Sequence, residues 1–142
     1  MVDFINTTNK FLINSYHSIS VPSKPPDIIW AGRTVIGSVG PVKEGEKVDI
    51  TCEASGGHPP PSVTWWRDNE QLTTHQGTGP GDATLVWAVV SVVASRSLSS
   101  VPLECRVDSS KYVDSPLIAT PVYLNVTCEY ISIFVLNRFM TV

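Results

Sequence analysis

Residues 48–67 read VDITCEASGGHPPPSVTWWR, and this stretch decides the fold. Apolar and polar residues alternate up to Cys52, which is typical of a strand with one buried face. A loop rich in glycine and proline separates this strand from a second one, which carries Trp65. A third alternating run surrounds Cys105. Two cysteines on separate strands with a tryptophan between them predict two antiparallel sheets joined by one disulfide.

The pattern predicts an all-β fold, namely an immunoglobulin-like sandwich of two antiparallel sheets of the constant or intermediate (C2 or I-set) type. The alternation directs Trp65 into the core and turns Trp66 outward. The Cys52–Cys105 disulfide would contribute roughly 4 kcal/mol by restricting the unfolded chain. Besides the two cysteines, the predicted core contains Val48, Ile50, Val63, Trp65, Val122 and Leu124.

The composition indicates one domain with tails, because the chain has 142 residues, of which 42% are hydrophobic and 16% charged. A net charge of −3 argues against nucleic acid or an anionic membrane as a partner. A disulfide persists in an oxidising compartment, so we predict an extracellular or cell-surface location. Two buried free thiols in a cytosolic protein are the alternative. The third cysteine, Cys128, is left unpaired or bonded to another chain.

The two ends of the sequence differ from its centre. We expect residues 1–20 to be an unstructured tail, residues 21–127 to form the domain with a proline-rich lead-in, and residues 128–142 to be a short apolar tail. No signal-peptide pattern is visible, and the last apolar run is shorter than the about 20 residues of a membrane helix. We interpret the chain as a fragment or an imperfect gene model with non-native ends.

Turn-forming residues predict where the strands are interrupted. Asp27–Trp30 is expected to be a short first strand, and residues 83–94 a long one, because β-branched residues dominate there. Residues 37–45 are predicted to be rich in turns, residues 71–82 to be a loop with several glycines, and residues 95–100 to be a serine-rich connection.

Three stretches resemble the sidestep family of arthropod cell-surface proteins: residues 41–46 (PVKEGE), 52–61 (CEASGGHPPP) and 63–67 (VTWWR). The resemblance covers about residues 21–127 and is to an inner immunoglobulin-like domain, the second one. It implies axon guidance through other immunoglobulin-superfamily surface proteins, of the beaten-path type. It also implies that the domain acts either as a binding module or as a spacer. Leu103 departs from the tyrosine that is usual two residues before the second cysteine of this fold.

Two triplets match the acceptor sequence for N-glycosylation. Asn125 begins the triplet NVT on the last predicted strand, and Asn6 begins the triplet NTT in the N-terminal tail. The strand alternation turns Asn125 outward, so a glycan can be accommodated there. Chance occurrence is the alternative for both triplets, because such triplets are common.

Trp66 is a candidate partner contact, because aromatic side chains are enriched among the residues that dominate binding energies. The alternative is that Trp66 packs under the predicted loop at residues 71–82. We expect the contact face to be the sheet that carries Trp66 and the strands of Cys105 and Asn125. The neighbouring Arg67 is a candidate to pair with an acidic side chain near the Cys105 strand.

The sequence contains no pattern that predicts catalysis or a cofactor. The histidines His17, His58 and His75 are isolated and do not have metal-ligand spacing. Phosphate-binding loops, dinucleotide fingerprints and nucleophile elbows are absent from the sequence. We therefore predict a protein that is not an enzyme and has no cofactor, no metal site and no small-molecule substrate.

The predicted function is that of an extracellular adhesion or guidance domain, which binds another immunoglobulin protein or separates domains that do. One alternative is a structural domain of an intracellular filament or scaffold protein, in which the cysteines would be free thiols. Another is a non-catalytic domain attached to an enzyme such as a receptor kinase.

Overall fold

The computed structural model describes residues 24–109 and 116–128. Asn6 and the greater part of both predicted tails lie outside this range. The described residues form two sheets and one short helix, α1 (Arg96–Ser100), which lies between β8 and β9. The strands are β1 (Asp27–Trp30), β2 (Arg33–Val35), β3 (Ser38–Lys43), β4 (Lys47–Ala54), β5 (Ser62–Arg67), β6 (Glu70–Gln71), β7 (Thr74–Gly79), β8 (Asp82–Val93), β9 (Leu103–Asp108) and β10 (Ile118–Thr127).

The strands pack as a sandwich, as predicted. The first sheet has the order β2-β1-β4-β8-β7, and the second has the order β3-β10-β9-β5-β6. The first sheet is antiparallel throughout, whereas β3 pairs with β10 in parallel in the second. The remaining pairs of the second sheet are antiparallel. The prediction of an all-β sandwich is confirmed, except that one pair of strands, β3 and β10, is parallel and not antiparallel.

A disulfide and a tryptophan join the two sheets at the centre of the core. Cys52 of β4 is bonded to Cys105 of β9, with a Cα–Cα distance of 6.3 Å. Trp65 of β5 lies opposite Cys105 and is completely buried. Its Nε1 donates a hydrogen bond of 2.9 Å to the carbonyl oxygen of Ala88 on β8. The polar atom of this buried ring therefore has a partner in the facing sheet, which removes the penalty of burying it unpaired.

The core follows the alternation of the strands. Along β4, every second side chain is buried, and the same holds for the central part of β9. Burial of apolar area on the two inner faces, at roughly 25 cal/mol per Å², is the main stabilising contribution of such a sandwich. The side chains that were assigned to the core from the sequence are buried in the structure: Val48, Ile50, Cys52, Val63, Trp65, Cys105, Val122 and Leu124.

Residues 37–45 differ from the prediction, because most of them form β3 rather than turns. This strand lies at the edge of the second sheet and pairs with β10. The register shifts at the position of Gly40 and Pro41. Proline has no N–H to donate, and an edge strand with an irregular register tolerates that loss. The sequence prediction was wrong here because the turn-forming residues lie within the strand.

The loop predicted at residues 71–82 is also wrong, since β7 occupies half of it and the ends of β6 and β8 reach into it. This strand pairs with β8 over its whole length, and Gly77 lies opposite Trp87. A Cβ atom at Gly77 would overlap the indole ring of Trp87, so the ring occupies the space that the glycine leaves. A cross-strand aromatic side chain thus supports a glycine in an edge strand. Residues 95–100 likewise contain α1, whose Leu98 is buried against the core.

The strands β1 and β10 reach opposite ends of the sandwich. Asp27 of β1 lies opposite Glu53, near the end of β4. Thr127 of β10 lies opposite Lys43, next to the turn that leads to Lys47 at the start of β4. At about 3.4 Å per residue, Lys47 and Glu53 are roughly 20 Å apart along β4. The first and last strands therefore lead to opposite ends of the sandwich, an arrangement that allows domains to be joined end to end.

Candidate interaction surface

The outward face of the second sheet presents the side chains that were singled out as a contact surface. Its inward side chains pack against the first sheet, and the alternate positions of β5, β9 and β10 point away from the core. We call this surface the Trp66 face and define it by the outward residues of these three strands. They are Thr64, Trp66, Glu104, Arg106, Ala119, Pro121 and Tyr123.

Trp66 lies at the centre of an ordered contact between β5 and β9. Its side chain is half-buried, and the guanidinium carbon of Arg106 lies 4.5 Å from the centroid of its ring. A cation over an indole face at this distance contributes roughly 0.5–1 kcal/mol at an exposed site. Of the predicted loop at residues 71–82, Gln71 in β6 pairs with Trp66 and β7 belongs to the first sheet. The cation above the ring is Arg106.

Glu104 holds the guanidinium group of Arg106 in place. Its Oε2 accepts hydrogen bonds from Nε of Arg106 at 3.1 Å and from Nη2 at 2.9 Å. Glu104 lies directly opposite Trp66 in the register of β5 and β9, so the acid, the guanidinium and the ring form one compact group. An exposed ion pair adds little stability by itself. Its effect here is to fix the orientation of Arg106 above the ring.

Thr64 fixes the indole from the other side. Nε1 of Trp66 donates a hydrogen bond of 2.9 Å to Oγ1 of Thr64. The same hydroxyl donates to the carbonyl oxygen of Arg106 at 3.4 Å. The polar atom of Trp66 is thus satisfied within the domain, and the ring has little freedom left to lose when it is covered.

The β10 side of the Trp66 face is flat and mostly apolar. Ala119 lies opposite Arg106, and Pro121 lies opposite Glu104. Tyr123 follows on the same face and is 45% exposed. Tryptophan, tyrosine and arginine side chains are enriched at the centre of protein interfaces.

Asn125 lies on β10 just beyond the Trp66 face and is exposed. The third residue of its triplet, Thr127, donates a hydrogen bond from Oγ1 to the carbonyl oxygen of Val42 at 3.2 Å. On the β3 side, Gly40 approaches the backbone of Asn125 so closely that a Cβ atom would lie 2.6 Å from its carbonyl oxygen. The exposed position of Asn125 agrees with the outward direction expected from the strand alternation.

Comparison with known proteins places this geometry in a family. A family model described as "Immunoglobulin domain" matches residues 25–112. The chain belongs to the immunoglobulin domain family. Immunoglobulin domains are generally not enzymes, and their sandwiches serve as binding surfaces.

Sequence relatives of this immunoglobulin domain include adhesion proteins. Cell adhesion molecule 2 of Xenopus tropicalis is 26% identical over 92 residues, which are 62% of this chain and 21% of that protein. Nephrin of Rattus norvegicus is 32% identical over 76 residues, which are 54% of this chain and 6% of that protein. The matched region therefore spans at most about a fifth of these two relatives.

Solved structures share the fold of this immunoglobulin domain. The full ectodomain of mouse nectin-like molecule 4 matches with a TM-score of 0.60 and 17% identity, over 78% of this chain and 35% of that chain. A structure of domains D1-D2 of Rst matches with a TM-score of 0.57 and 17% identity, over 72% of this chain and 50% of that chain. At this identity the likeness concerns the fold alone.

Arg67 of this immunoglobulin domain does not form the ion pair that was considered for it. Within residues 24–109 and 116–128, its Nε atom is buried and has no hydrogen-bond partner. Residues 97–103 read SLSSVPL, so no acidic side chain precedes β9 where one would meet Arg67. The first acid is Glu104, and it binds Arg106 instead. Glu104 is thus already paired with Arg106.

Cys128 of this immunoglobulin domain is a free thiol among the described residues. Its Sγ donates to Oε2 of Glu44 at 3.1 Å and accepts a hydrogen bond from Nε of Arg96 at 3.2 Å. This group lies on the end of the sandwich where β10 finishes, away from the Trp66 face. It is an exposed polar contact and does not involve the disulfide.

Two recesses in the described part of this immunoglobulin domain are small. One, of about 190 Å³, lies between Arg106 and the turn at Asp68 and Asn69. Another, of about 250 Å³, lies next to Trp87 between β5 and β7. Both are below the roughly 300–1,000 Å³ that is usual for small-molecule sites. The described part of the chain contains no group of three or more histidine, cysteine or acidic side chains that could hold a metal ion.

Among the described residues, no helix is long and apolar enough to cross a membrane.

Proposed function

We propose that this domain is an extracellular module of a cell-surface adhesion protein and binds another immunoglobulin-superfamily protein through the Trp66 face. We also propose that the module comprises residues 21–127. The single observation that carries the proposal is the position of Trp66, whose half-buried ring lies on the outward face of the second sheet under the guanidinium of Arg106. A free monomer gains little by ordering a tryptophan in this way, whereas a binding surface gains affinity from it.

The affinity gain comes from conformational entropy. Immobilising a side chain on binding costs about 0.5–1.5 kcal/mol. Trp66 is already held by Thr64, and Arg106 is already held by Glu104, so this cost falls on the folding of the domain and not on association. Tryptophan and arginine are also the residues that most often dominate interface energies. The Trp66 face therefore combines suitable residues with a fixed geometry.

The partner chemistry that suits this face is another protein with a flat apolar patch and polar surroundings. Small side chains at Ala119 and Pro121 leave room beside the ring, and the recess next to Arg106 can accept one protruding side chain. Immunoglobulin domains of adhesion molecules commonly bind other immunoglobulin-superfamily surface proteins. We propose a partner of that class, and the resemblance to the sidestep family supports a beaten-path-like protein and a role in axon guidance.

The disulfide supports the extracellular location. Cys52 and Cys105 are within bonding distance in the core, and such bonds persist in oxidising compartments. An intracellular filament or scaffold domain would hold two reduced thiols at the same place. The proteins named cell adhesion molecule 2 and nephrin among the relatives also favour the surface role.

A second candidate function is that of a spacer between binding domains. The observation in its favour is the placement of β1 and β10 at opposite ends of the sandwich, roughly 20 Å apart along β4. A unit with this polarity extends a string of domains by its own length. A spacer needs no ordered aromatic residue on its face, so the two functions differ in what they require of Trp66.

The experiment that tests the proposal uses the full chain, secreted from cultured cells behind a supplied signal peptide. The mass of unreduced tryptic peptides first shows whether Cys52 and Cys105 are linked. A binding screen against cell-surface immunoglobulin proteins then compares the native chain with Trp66→Ala and Trp87→Ala. Trp87 is the matched control because it lies on the outward face of the other sheet.

The proposal expects Trp66→Ala to weaken binding by roughly 30-fold or more, the ratio that corresponds to about 2 kcal/mol at an interface hot spot. Trp87→Ala is expected to change binding by less than threefold. Equal binding by all three chains would place the contact outside the Trp66 face, and binding by none of them would favour the spacer. Reduced thiols in the well-folded secreted protein would contradict the extracellular assignment.

A further inference from the structure

The geometry points to Asn125 as an N-glycosylation site whose glycan closes the β3 side of the second sheet and confines the partner to the side of β5 and β9. The site itself is independent of the proposed function, whereas the confinement of the partner rests on it.

Asn125 has room for a large substituent. It is exposed between Leu124, which is buried in the core, and Val126, which is partly buried against it. Its side chain makes no hydrogen bond to any residue in the described ranges, so a bond at Nδ2 would break no native contact there. The pairing of β10 with β9 ends at Val122, and Asn125 therefore has a neighbouring strand on its β3 side only.

The modification is a group transfer to the side-chain amide. Nδ2 of Asn125 forms a bond to the anomeric carbon of an oligosaccharide, and the bond from that carbon to a lipid-linked pyrophosphate breaks. The amide loses one proton to a base, and the lipid pyrophosphate leaves, so the step involves no oxidation or reduction. The co-reactant is a lipid-pyrophosphate-linked oligosaccharide, which is found in the secretory pathway.

The hydroxyl group of Thr127 completes the acceptor triplet. In the folded domain this hydroxyl donates to the carbonyl oxygen of Val42, which ties it to β3. We therefore expect the transfer to occur before β10 pairs with β3. Asn125 remains exposed after pairing, so the folded domain retains the glycan without rearrangement.

The position of Asn125 sets which part of the sheet stays open. From Trp66 the path crosses β9 at Glu104, reaches Pro121 on β10, and then follows β10 to Asn125. At ordinary strand spacing and rise, this is a separation of roughly 16 Å. A bulky glycan at that distance covers Tyr123 and the edge strand β3 but leaves the Trp66 ring open.

The glycan also protects an edge. Among the described residues β3 is an edge strand of the second sheet, and exposed edges can pair with another chain. Pro41 already removes one donor from that edge. A hydrated glycan beside it excludes edge-to-edge association and leaves a single side of the sheet for a partner.

The first test is the mass of the tryptic peptide containing residue 125 from the full chain, secreted behind a supplied signal peptide, before and after endoglycosidase treatment. We expect a glycan on the native chain and on Thr127→Ser, which keeps the triplet. We expect none on Asn125→Gln or on Thr127→Ala. An unmodified peptide from the native chain would overturn the site.

The second test separates the glycan from the binding function. Binding of Asn125→Gln to the partner found in the screen is expected to stay within twofold of that of the native chain. A loss of more than tenfold would overturn the confinement, because the glycan would then belong to the contact. A glycosylated chain that binds no immunoglobulin protein would contradict the proposed function and leave the modification site standing. An unmodified native chain that binds an immunoglobulin protein would overturn the modification site and leave the proposed function standing.

Discussion

Arg106 covers the ring of Trp66 at 4.5 Å, and the two side chains come from neighbouring strands of the second sheet. The register explains the contact, because Trp66 lies opposite Glu104 and Arg106 lies opposite Thr64, which makes Trp66 and Arg106 a diagonal pair. Diagonal neighbours in an antiparallel pair are within reach when their side chains are long. A half-buried tryptophan on the outward face is thus held in one orientation by contacts within the domain.

The two adjacent tryptophans should respond differently to truncation. Trp65→Phe leaves the carbonyl of Ala88 without its indole donor and leaves a cavity in the core, so we expect a loss of roughly 2 kcal/mol or more in the free energy of unfolding. Trp66→Phe removes volume from a half-exposed side chain, and we expect a loss below about 1 kcal/mol. Urea unfolding measures both. Equal losses would contradict the inward and outward placement.

The disulfide should account for a large share of the stability. Replacing Cys52 and Cys105 together by alanine opens a loop with a sequence separation of 53. The chain-entropy model gives a loss of about 4 kcal/mol in the free energy of unfolding. Cys128→Ser is the matched control, and we expect it to change the stability by less than about 0.5 kcal/mol. A similar loss from the control would show that Cys128 is not a peripheral thiol.

Gly77 and Trp87 should be coupled. Gly77→Ala places a methyl group in the space of the Trp87 ring, and we expect a loss of roughly 1–3 kcal/mol from overpacking. In a Trp87→Ala background the same change should cost less than about 0.5 kcal/mol, because the ring is gone. A double-mutant cycle of unfolding free energies measures the difference. A coupling energy near zero would mean that the glycine is required for another reason.

Asp82 should titrate below the usual range of a carboxyl group. The hydroxyl of Thr84 donates to its Oδ1 at 2.6 Å and the backbone N–H of Thr84 at 2.9 Å, and these bonds lower the pKa of Asp82 from its ordinary value of 3.8. A lowered pKa favours the folded state above 3.8, and this contribution is lost as the pH falls through the folded-state value. Thr84→Val should raise the pKa of Asp82 in a carboxyl NMR titration. An unchanged pKa would show that the hydroxyl does not act on the acid.

Much of the sandwich could be predicted from the sequence because its central strands alternate strictly. The runs around Cys52 and Cys105 have one buried and one exposed face, and that pattern is local. The same alternation gave the inward position of Trp65 and the outward direction of Asn125. Successive side chains of a strand point to opposite faces of the sheet, so once one residue is known to be buried, the sequence shows which of its neighbours on the strand are buried.

The edge strands could not be predicted for a physical reason. β3 contains Gly40 and Pro41, and β7 contains Gly77 and Gly79, so both resemble turns in composition. The conformation of β3 depends on β10, a partner that is distant in sequence and therefore not visible in a local window. By contrast, β7 pairs with β8, the next strand along the chain, in a hairpin that turns at residues 80–81. The glycines of β7 concealed that hairpin, because they are also typical of a loop.

The candidate surface could likewise be predicted only in part. The outward direction of Trp66 followed from parity, but its contact with Arg106 depends on the register between β5 and β9. Arg67 is a candidate for an ion pair near β9, yet Glu104 of β9 points outward and binds Arg106 instead. One signal could have identified this arrangement. Glu104 and Arg106 flank Cys105 and therefore share the face opposite to it.

The most direct test of the central claim places a glycan on each face of the sandwich in turn. The pair Ala119→Asn and Pro121→Thr creates an acceptor triplet opposite Arg106, and the single change Asp49→Asn creates one on the exposed side of the first sheet. Both variants would be secreted, their added glycans verified by mass, and their affinities for the partner from the screen measured.

The account predicts that a glycan at residue 119 lowers the affinity more than tenfold, because it stands beside Trp66 and Arg106 in the middle of the contact. A glycan at residue 49 should change the affinity by less than threefold. If the glycan at residue 119 leaves binding intact and the glycan at residue 49 abolishes it, the partner binds the first sheet, and the assignment of the Trp66 face is wrong.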